Sequence, residues 1–265
     1  MLVRCRRLVP RFAVGVCLWG WTAAADGPAP PTRLDAILAA GQIRVGLAGD
    51  YPPFAVLDPS TRQFIGFDVD MVLALAATLG VKATFVKTSW PSLTRDFETD
   101  RFDLAAGGVS ITLDRARQGF FSTPIMRDGK TPIARCADRN KYQDIASIDQ
   151  PTTRVIVNPG GTNERFARDN LKAAPITVHS GNAGVFDEIE KGAADVMITD
   201  ASETLYQQKL HPGSLCAIHP DKPFDFAEKA YWLRRDVALK EYVDHWLHIM
   251  SETNRLAALR DKWFK

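Results

Sequence analysis

Four cysteines and five histidines in 265 residues leave little material for a metal centre or a thiol nucleophile. Two of the cysteines, Cys5 and Cys17, fall in the first 25 residues, so only Cys136 and Cys216 remain beyond them. The single close histidine pair, His245 and His248, is three apart in a helical pattern with no third ligand at short spacing, and reads as two solvent-facing positions. No Gly-x-Ser-x-Gly elbow is present, which removes the usual strand-turn-helix setting of a serine nucleophile. The chain has no internal repeat and no low-complexity tract beyond a short Pro-rich stretch at residues 27–31.

Long apolar runs are absent as well. The longest, from Phe12 to Trp21, is about half of the roughly 20 residues needed to cross a bilayer. It follows Arg4, Arg6, Arg7 and Arg11 and ends in Ala23-Ala24-Ala25, the order of a secretory signal cleaved after Ala25. The expectation is an exported, periplasmic protein with no membrane attachment once residues 1–25 are removed. Four arginines and no acid lie in that segment, so of 33 basic and 31 acidic side chains, 29 and 31 remain. With the basic residues spread among acids, a nucleic-acid partner is not expected. In an oxidising compartment Cys136 and Cys216 suit one disulfide, with two buried thiols as the alternative.

What is present is an alternation of short apolar strands with amphipathic helices. Residues 43–47, 83–86, 104–107, 155–158, 176–179 and 196–199 read as strands. Residues 67–79, 90–98, 163–171, 183–191, 202–209, 237–251 and 255–263 read as helices. Met71, Val72, Leu75, Ala76 and Leu79 recur at three and four, and Gly80 ends their helix. Strands separated by helices predict an α/β fold with parallel sheets. Residues 154–200 look like a self-contained βαβ unit, and the helices after Ala227 need a sheet to lie on. The economical division is a first lobe of residues 26–132 plus 223–265 and a second of 133–222. Crossover strands are expected near residues 131–135 and 217–221, with a ligand cleft between lobes.

Candidate site residues cluster where predicted strands end. Val155-Ile156-Val157-Asn158-Pro159-Gly160-Gly161-Thr162-Asn163-Glu164 is a strand, a glycine turn and a helix start. Gly161 and Thr162 there can offer amides to an anion, or make a plain capped turn. Ser110 and Thr112 supply hydroxyls after the strand at 104–107. Arg115, three residues on, suits bidentate pairing to a ligand carboxylate, unless it pairs with Asp114 at the surface. Tyr51, Phe54 and Trp90 can wall a ring or fill a core. Asp200, at a strand's edge, can meet a ligand amine, orient a neighbour or cap the helix at Ala201.

Gly66-Phe67-Asp68-Val69-Asp70-Met71 through Ala76 resembles the signature of the family 3 extracellular solute-binding proteins. A closer resemblance, to the periplasmic cyclohexadienyl dehydratases of that superfamily, is carried by Thr88-Ser89-Trp90-Pro91, Arg127-Asp128-Gly129-Lys130-Thr131-Pro132-Ile133 and Ile148-Asp149-Gln150-Pro151. It continues in Val157–Glu164 and in Pro223-Phe224-Asp225-Phe226-Ala227-Glu228-Lys229-Ala230-Tyr231. It implies a type II periplasmic binding protein-like fold with a hinge and an interlobe cleft. It also implies decarboxylating dehydration of prephenate to phenylpyruvate, and of arogenate to phenylalanine, without cofactor or metal. By the same resemblance Glu164 is the general acid, kept protonated by the closed cleft, and Cys136 and Cys216 stand where the family's pair stands. Thr112 stands where the resemblance would place Asn. The rival expectation is a non-catalytic amino acid or carboxylate receptor serving an ABC permease, with the same fold and the same Arg115.

Overall fold

The computed structural model describes residues 30–265; the expected signal at residues 1–25 lies outside them. Two five-stranded sheets carry the fold. In the first, Gln42–Leu47 pairs in parallel with Lys82–Lys87 on one side and Leu104–Ala105 on the other. Trp232–Leu233 joins antiparallel to Leu104–Ala105, and Phe120–Phe121 closes the edge. In the second, Val155–Val157 lies between parallel neighbours Ile176–Val178 and Val196–Asp200, and Lys130–Arg135 then Leu215–Ala217 add antiparallel.

Each sheet therefore places its first parallel strand between the second and the third, which creates a switch point where loops diverge. In the first lobe the loops after Gln42–Leu47 and Leu104–Ala105 leave there. In the second, the turn at Asn158 and the end of Val196–Asp200 do so. These are the segments that read as candidate sites.

The helix Phe67–Leu79 follows from its pattern: Phe67, Val69, Met71, Val72, Leu75 and Ala76 are buried against the first sheet, and Gly80 stops it at φ 67°. The helices Val237–Glu252 and Arg255–Phe264 bury Leu239, Val243, Trp246, Leu247, Met250 and Leu256 in the same core. The second lobe has its own core, with Val155, Val157, Val196 and Ile198 on one face of its sheet and Ile156, Met197 and Phe186 on the other. Among the described residues no helix is long and apolar enough to cross a membrane.

The crossing between lobes differs from expectation. The strand Lys130–Arg135, which covers the first expected crossover at 131–135, pairs with Leu215–Ala217 inside the second sheet, and the second expected crossover at 217–221 overlaps that partner only at Ala217. A lobe boundary after residue 132 cuts the first of them. The chain crosses instead in an antiparallel ribbon of Met126–Asp128 and Ala227–Lys229. The Asp128 carboxylate anchors that ribbon by accepting from the Ser202 hydroxyl at 2.5 Å. An apolar run such as Pro132-Ile133-Ala134 reads alike whether it crosses or stays, so the pattern did not locate the hinge.

Cys136 and Cys216 form a disulfide, with Cα atoms 4.8 Å apart and a sequence separation of 80. It ties the two antiparallel strands at the second sheet's edge. Replacing both by Ser should destabilise the protein by about 2–5 kcal/mol. In thermal unfolding the wild type with reductant should then match the variant, and a variant melting with the oxidised wild type would refute a stabilising role.

Candidate active site

The facing loops border a small cavity that is partly open to solvent. Tyr51, Trp90, Ser110 and Arg115 line it from the first lobe, Gly161, Thr162 and Asp200 from the second, and Lys229 from the crossing ribbon. The lobes touch around it. The Tyr51 hydroxyl donates to Asp200, Asn182 donates to the Asp50 carbonyl at 3.2 Å, and Arg165 pairs with Asp114 at 2.8 Å. Backbone meets backbone at Gly160, where a Cβ would lie 2.9 Å from the Pro91 nitrogen, and its φ of +67° suits glycine.

Asp200 organises the charge. Lys130 Nζ lies 2.7 Å from one of its oxygens and Lys229 Nζ 2.5 Å from the other, with all three side chains buried. Burial by itself would raise the Asp200 carboxyl, but the two ammonium groups, each hydrogen-bonded to it, hold it well below the usual carboxylate range. Tyr51 is pushed the other way, first by burial and then by Asp200's charge, and stays a neutral donor. Asp200 makes no side-chain cap to the helix Ala201–Leu210; its oxygens take Lys130, Lys229 and Tyr51 instead.

Arg115 is buried with no carboxylate partner among the described residues, and its Nη1 donates to the Ser110 carbonyl at 2.9 Å. Burial pushes it down to about 10, Arg165 adds to the effect, and Asp200 opposes it. Asp114 does not pair with it; that carboxylate takes Arg117 and Arg165. A buried guanidinium fork that faces a cavity and has no carboxylate partner among the described residues has the geometry to pair with one.

Three expected residues stand elsewhere. Phe54 is fully buried behind Tyr51, stacked on it at 5.3 Å and set edge-on to Phe264, so it backs the wall and does not line the cavity. Thr112 caps the short helix Leu113–Ala116 at the cleft's rim, accepting from the Arg115 amide at 3.3 Å. Glu164 departs furthest from expectation. Its carboxylate accepts from the Gly160 amide at 2.6 Å and from Arg168 Nε at 2.8 Å, outside the cavity lining. The Gly160 bond, against some burial and with help from Arg168, holds its carboxyl below the ordinary range. A carboxylate in the first turn of a helix is favoured as an anion, and burial does not overcome that here.

Lys130, Lys229, Asn158 and Asn163 were not singled out from the sequence. Lys130 Nζ donates to Thr162 Oγ1 at 3.0 Å and to Asn163 Oδ1, and Lys229 Nζ to Ser110 Oγ at 2.9 Å. The signal was there: each lysine sits beside an apolar strand run, Thr131-Pro132-Ile133-Ala134 and Ala230-Tyr231-Trp232-Leu233, where an unpaired ammonium would be costly. His245 and His248 lie exposed on Val237–Glu252.

Residues 43–265 match the family described as bacterial extracellular solute-binding proteins, family 3, and the chain belongs to it. A cyclohexadienyl dehydratase of Pseudomonas aeruginosa is 52% identical over 243 residues, 92% of this chain and 90% of that protein. Among solved structures, the ancestral amino acid-binding protein AncCDT-1, a precursor of cyclohexadienyl dehydratase, superposes with a TM-score of 0.80 at 33% identity, covering 88% of this chain and 99% of that one. An ancestral cyclohexadienyl dehydratase, AncCDT-3, is 46% identical with a TM-score of 0.56, covering 89% and 97%.

Gly160 against Pro91 gives a direct test of closure. Gly160→Ala should weaken ligand binding by roughly tenfold or more, since a positive φ and a backbone clash together cost at least about 1–3 kcal/mol in the closed form. Its melting temperature without ligand should change little by comparison. Calorimetric titration beside thermal unfolding reads both, and unaltered affinity would mean the cleft works without this contact.

Proposed function

We propose that the chain is a periplasmic cyclohexadienyl dehydratase, converting prephenate to phenylpyruvate and arogenate to L-phenylalanine. The observation that carries this reading is the charge of the cleft. Arg115, Lys130 and Lys229 bring three positive charges, and Asp200 offsets one of them. Prephenate carries two carboxylates, which match the remaining two, and arogenate carries the same two with one ammonium group beside them. A simple amino acid with one carboxylate, the ligand of the receptor alternative, would use half of that surplus. The dehydratase relative supports the same reading. The leader expected at residues 1–25 and the extracellular character of the family support a periplasmic location.

The reaction expels the ring hydroxyl as water and the ring carboxylate as carbon dioxide. The electron pair of the broken C–COO bond enters the ring as the C–O bond breaks, and aromatisation drives the step. The protein holds the ring against Tyr51 and Trp90, seats one carboxylate on Arg115, and supplies one proton to the departing hydroxyl. Asp200, held ionised by two lysines, is no proton source. Glu164 fills that role in the substrate complex. A substrate carboxylate taking the Gly160 and Gly161 amides releases Glu164 from the bond that now keeps it ionised. An anion beside it then raises its affinity for a proton. Water restores the proton after product leaves.

Purified protein incubated with prephenate near neutral pH, where acid-driven breakdown is slow, should form phenylpyruvate. Glu164→Gln should lower kcat by on the order of 10²-fold or more. Arg115→Met should lower kcat/KM by roughly 30-fold or more, as expected when one member of a buried charge pair is removed. A fully active Gln variant would transfer the proton-donor role to Lys229. A wild type that binds without turnover would return the chain to the receptor class.

A further inference from the structure

Two surface hollows adjoin the cavity, and one ion pair stands between them. Ser110, Thr112, Thr162, Phe226 and Ala227 border the first, beside the crossing ribbon. Trp90, Pro91, Thr112, Gly160 and Thr162 border the second. Arg165 belongs to both. It lies on the helix Gly161–Asn170 of the second lobe, and its Nη1 donates to Asp114 Oδ2 of the first lobe at 2.8 Å. Among the described residues no other ion pair joins the two lobes directly: Lys130–Asp200 lies within the second lobe, and Lys229 reaches Asp200 from the ribbon.

The pair sits back to back with the groups that face the cavity. Asp114 precedes Arg115 in the one-turn helix Leu113–Ala116, and Arg165 follows Gly161 and Thr162 by about one turn. A separation of the lobes that parts Arg115 from Gly161 and Thr162 therefore parts Asp114 from Arg165. Arg117 donates to the other Asp114 oxygen at 2.8 Å. The carboxylate is thus aimed before the lobes meet, which reduces the ordering cost that an exposed pair carries. Arg165 also bears on Arg115, whose charged form it disfavours. Asp114 offsets that repulsion; without it, closing the empty cleft would set Arg165 against Arg115 uncompensated.

We infer that Arg165 and Asp114 form an electrostatic latch across the mouth of the cleft, which holds the lobes shut on a bound anion and sets how fast that anion leaves. An interaction made only in the closed form contributes its whole stabilisation to closure. Both side chains are more than half exposed, at 57% and 55%, so the pair adds little to the stability of the fold. Salt screens such a pair, so release is faster at high ionic strength. Asp169, one turn further along the same helix, borders the first hollow but takes no part in the pair.

The kinetic arm of the test rests on the dehydratase reading. It uses phenylpyruvate, the expected product, as probe, with dissociation followed by tryptophan fluorescence after rapid dilution. Asp114→Asn should release it roughly two- to fivefold faster, the scale of an exposed ion pair, and should lose most of the acceleration that salt gives the wild type. Asp114→Arg sets like charges face to face and should release it roughly tenfold faster or more. Adding Arg165→Asp to that variant should bring the rate back to within about threefold of wild type. Asp169→Asn removes the same charge from the same rim without touching the pair, and should leave the rate unchanged. Melting temperatures should stay close to that of the wild type, since every altered side chain is exposed.

A folded swap variant that still releases fast overturns the latch. So does an Asp169→Asn rate equal to that of Asp114→Asn, which would assign release to the net charge of the rim. Should the swap fail to fold, Asp114→Asn against Asp169→Asn still decides. The second arm uses the protein without ligand. With nitroxide labels on cysteines introduced at the exposed Glu98 and Lys172, one in each lobe, the distance distribution should move from closed toward open in Asp114→Asn. Cys136 and Cys216, joined in the disulfide, take no label. If phenylpyruvate does not bind and prephenate is not converted, the dehydratase reading fails and the distances alone decide. Identical distributions in wild type and Asp114→Asn then overturn the latch.

Discussion

Asp200 stands at the end of the second sheet's parallel strand and takes Lys130 and Lys229 on its two oxygens, with the Tyr51 hydroxyl donating as well. An isolated ammonium withdrawn from water costs several kcal/mol, and two side by side would also repel. One carboxylate between them makes the burial possible, and its own ionised state depends on them in turn. Because Lys130 belongs to the second sheet, Lys229 to the crossing ribbon and Tyr51 to the first lobe, the same carboxylate holds three parts of the molecule around the cavity. What is left over is positive charge that the protein itself does not neutralise, and the affinity of the cleft for anions follows from that remainder.

Two glutamates in the second lobe meet opposite environments. Glu164, at a helix start, is exposed enough for the Gly160 amide and Arg168 to decide its state, and it is an anion. Glu203, in a helix first turn as well, is buried so completely that two hydrogen bonds and a nearby lysine do not keep it ionised. The helix dipole is common to both, so solvent access separates them.

Much of the architecture was legible in the chain. The regular spacing from Met71 to Leu79, with a glycine after it, specifies a helix and its end. The apolar runs at 43–47, 155–158 and 196–199 specify buried strands, because in each case local pattern and tertiary environment agree. Around the site, Arg115, Ser110, Gly161, Thr162, Trp90 and Tyr51 were legible because they follow such strands, and strand ends converge at a switch point. Lys130 and Lys229 were not, since a lysine's fate depends on whether a distant Asp200 comes within reach. Phe54 could not be told from Tyr51 by type, as both are aromatics on one loop and the contact that sets Phe54 deeper comes from the distant C-terminal Phe264. The position of the hinge escaped for a related reason: whether an apolar strand crosses or stays is decided by its partners.

The first sheet contains Trp232–Leu233 between Leu104–Ala105 and Phe120–Phe121, while the whole second sheet is drawn from residues between them in the chain. A chain emerging from its N-terminus has every strand and the disulfide of the later lobe available before the earlier lobe has received its fifth strand, Trp232–Leu233, or the two helices that cover its core. Order along the chain and order of completion are therefore reversed. The half that begins first is finished last, and until then it presents an unpaired inner edge at Leu104–Ala105 and an uncovered apolar face to whatever escorts the polypeptide.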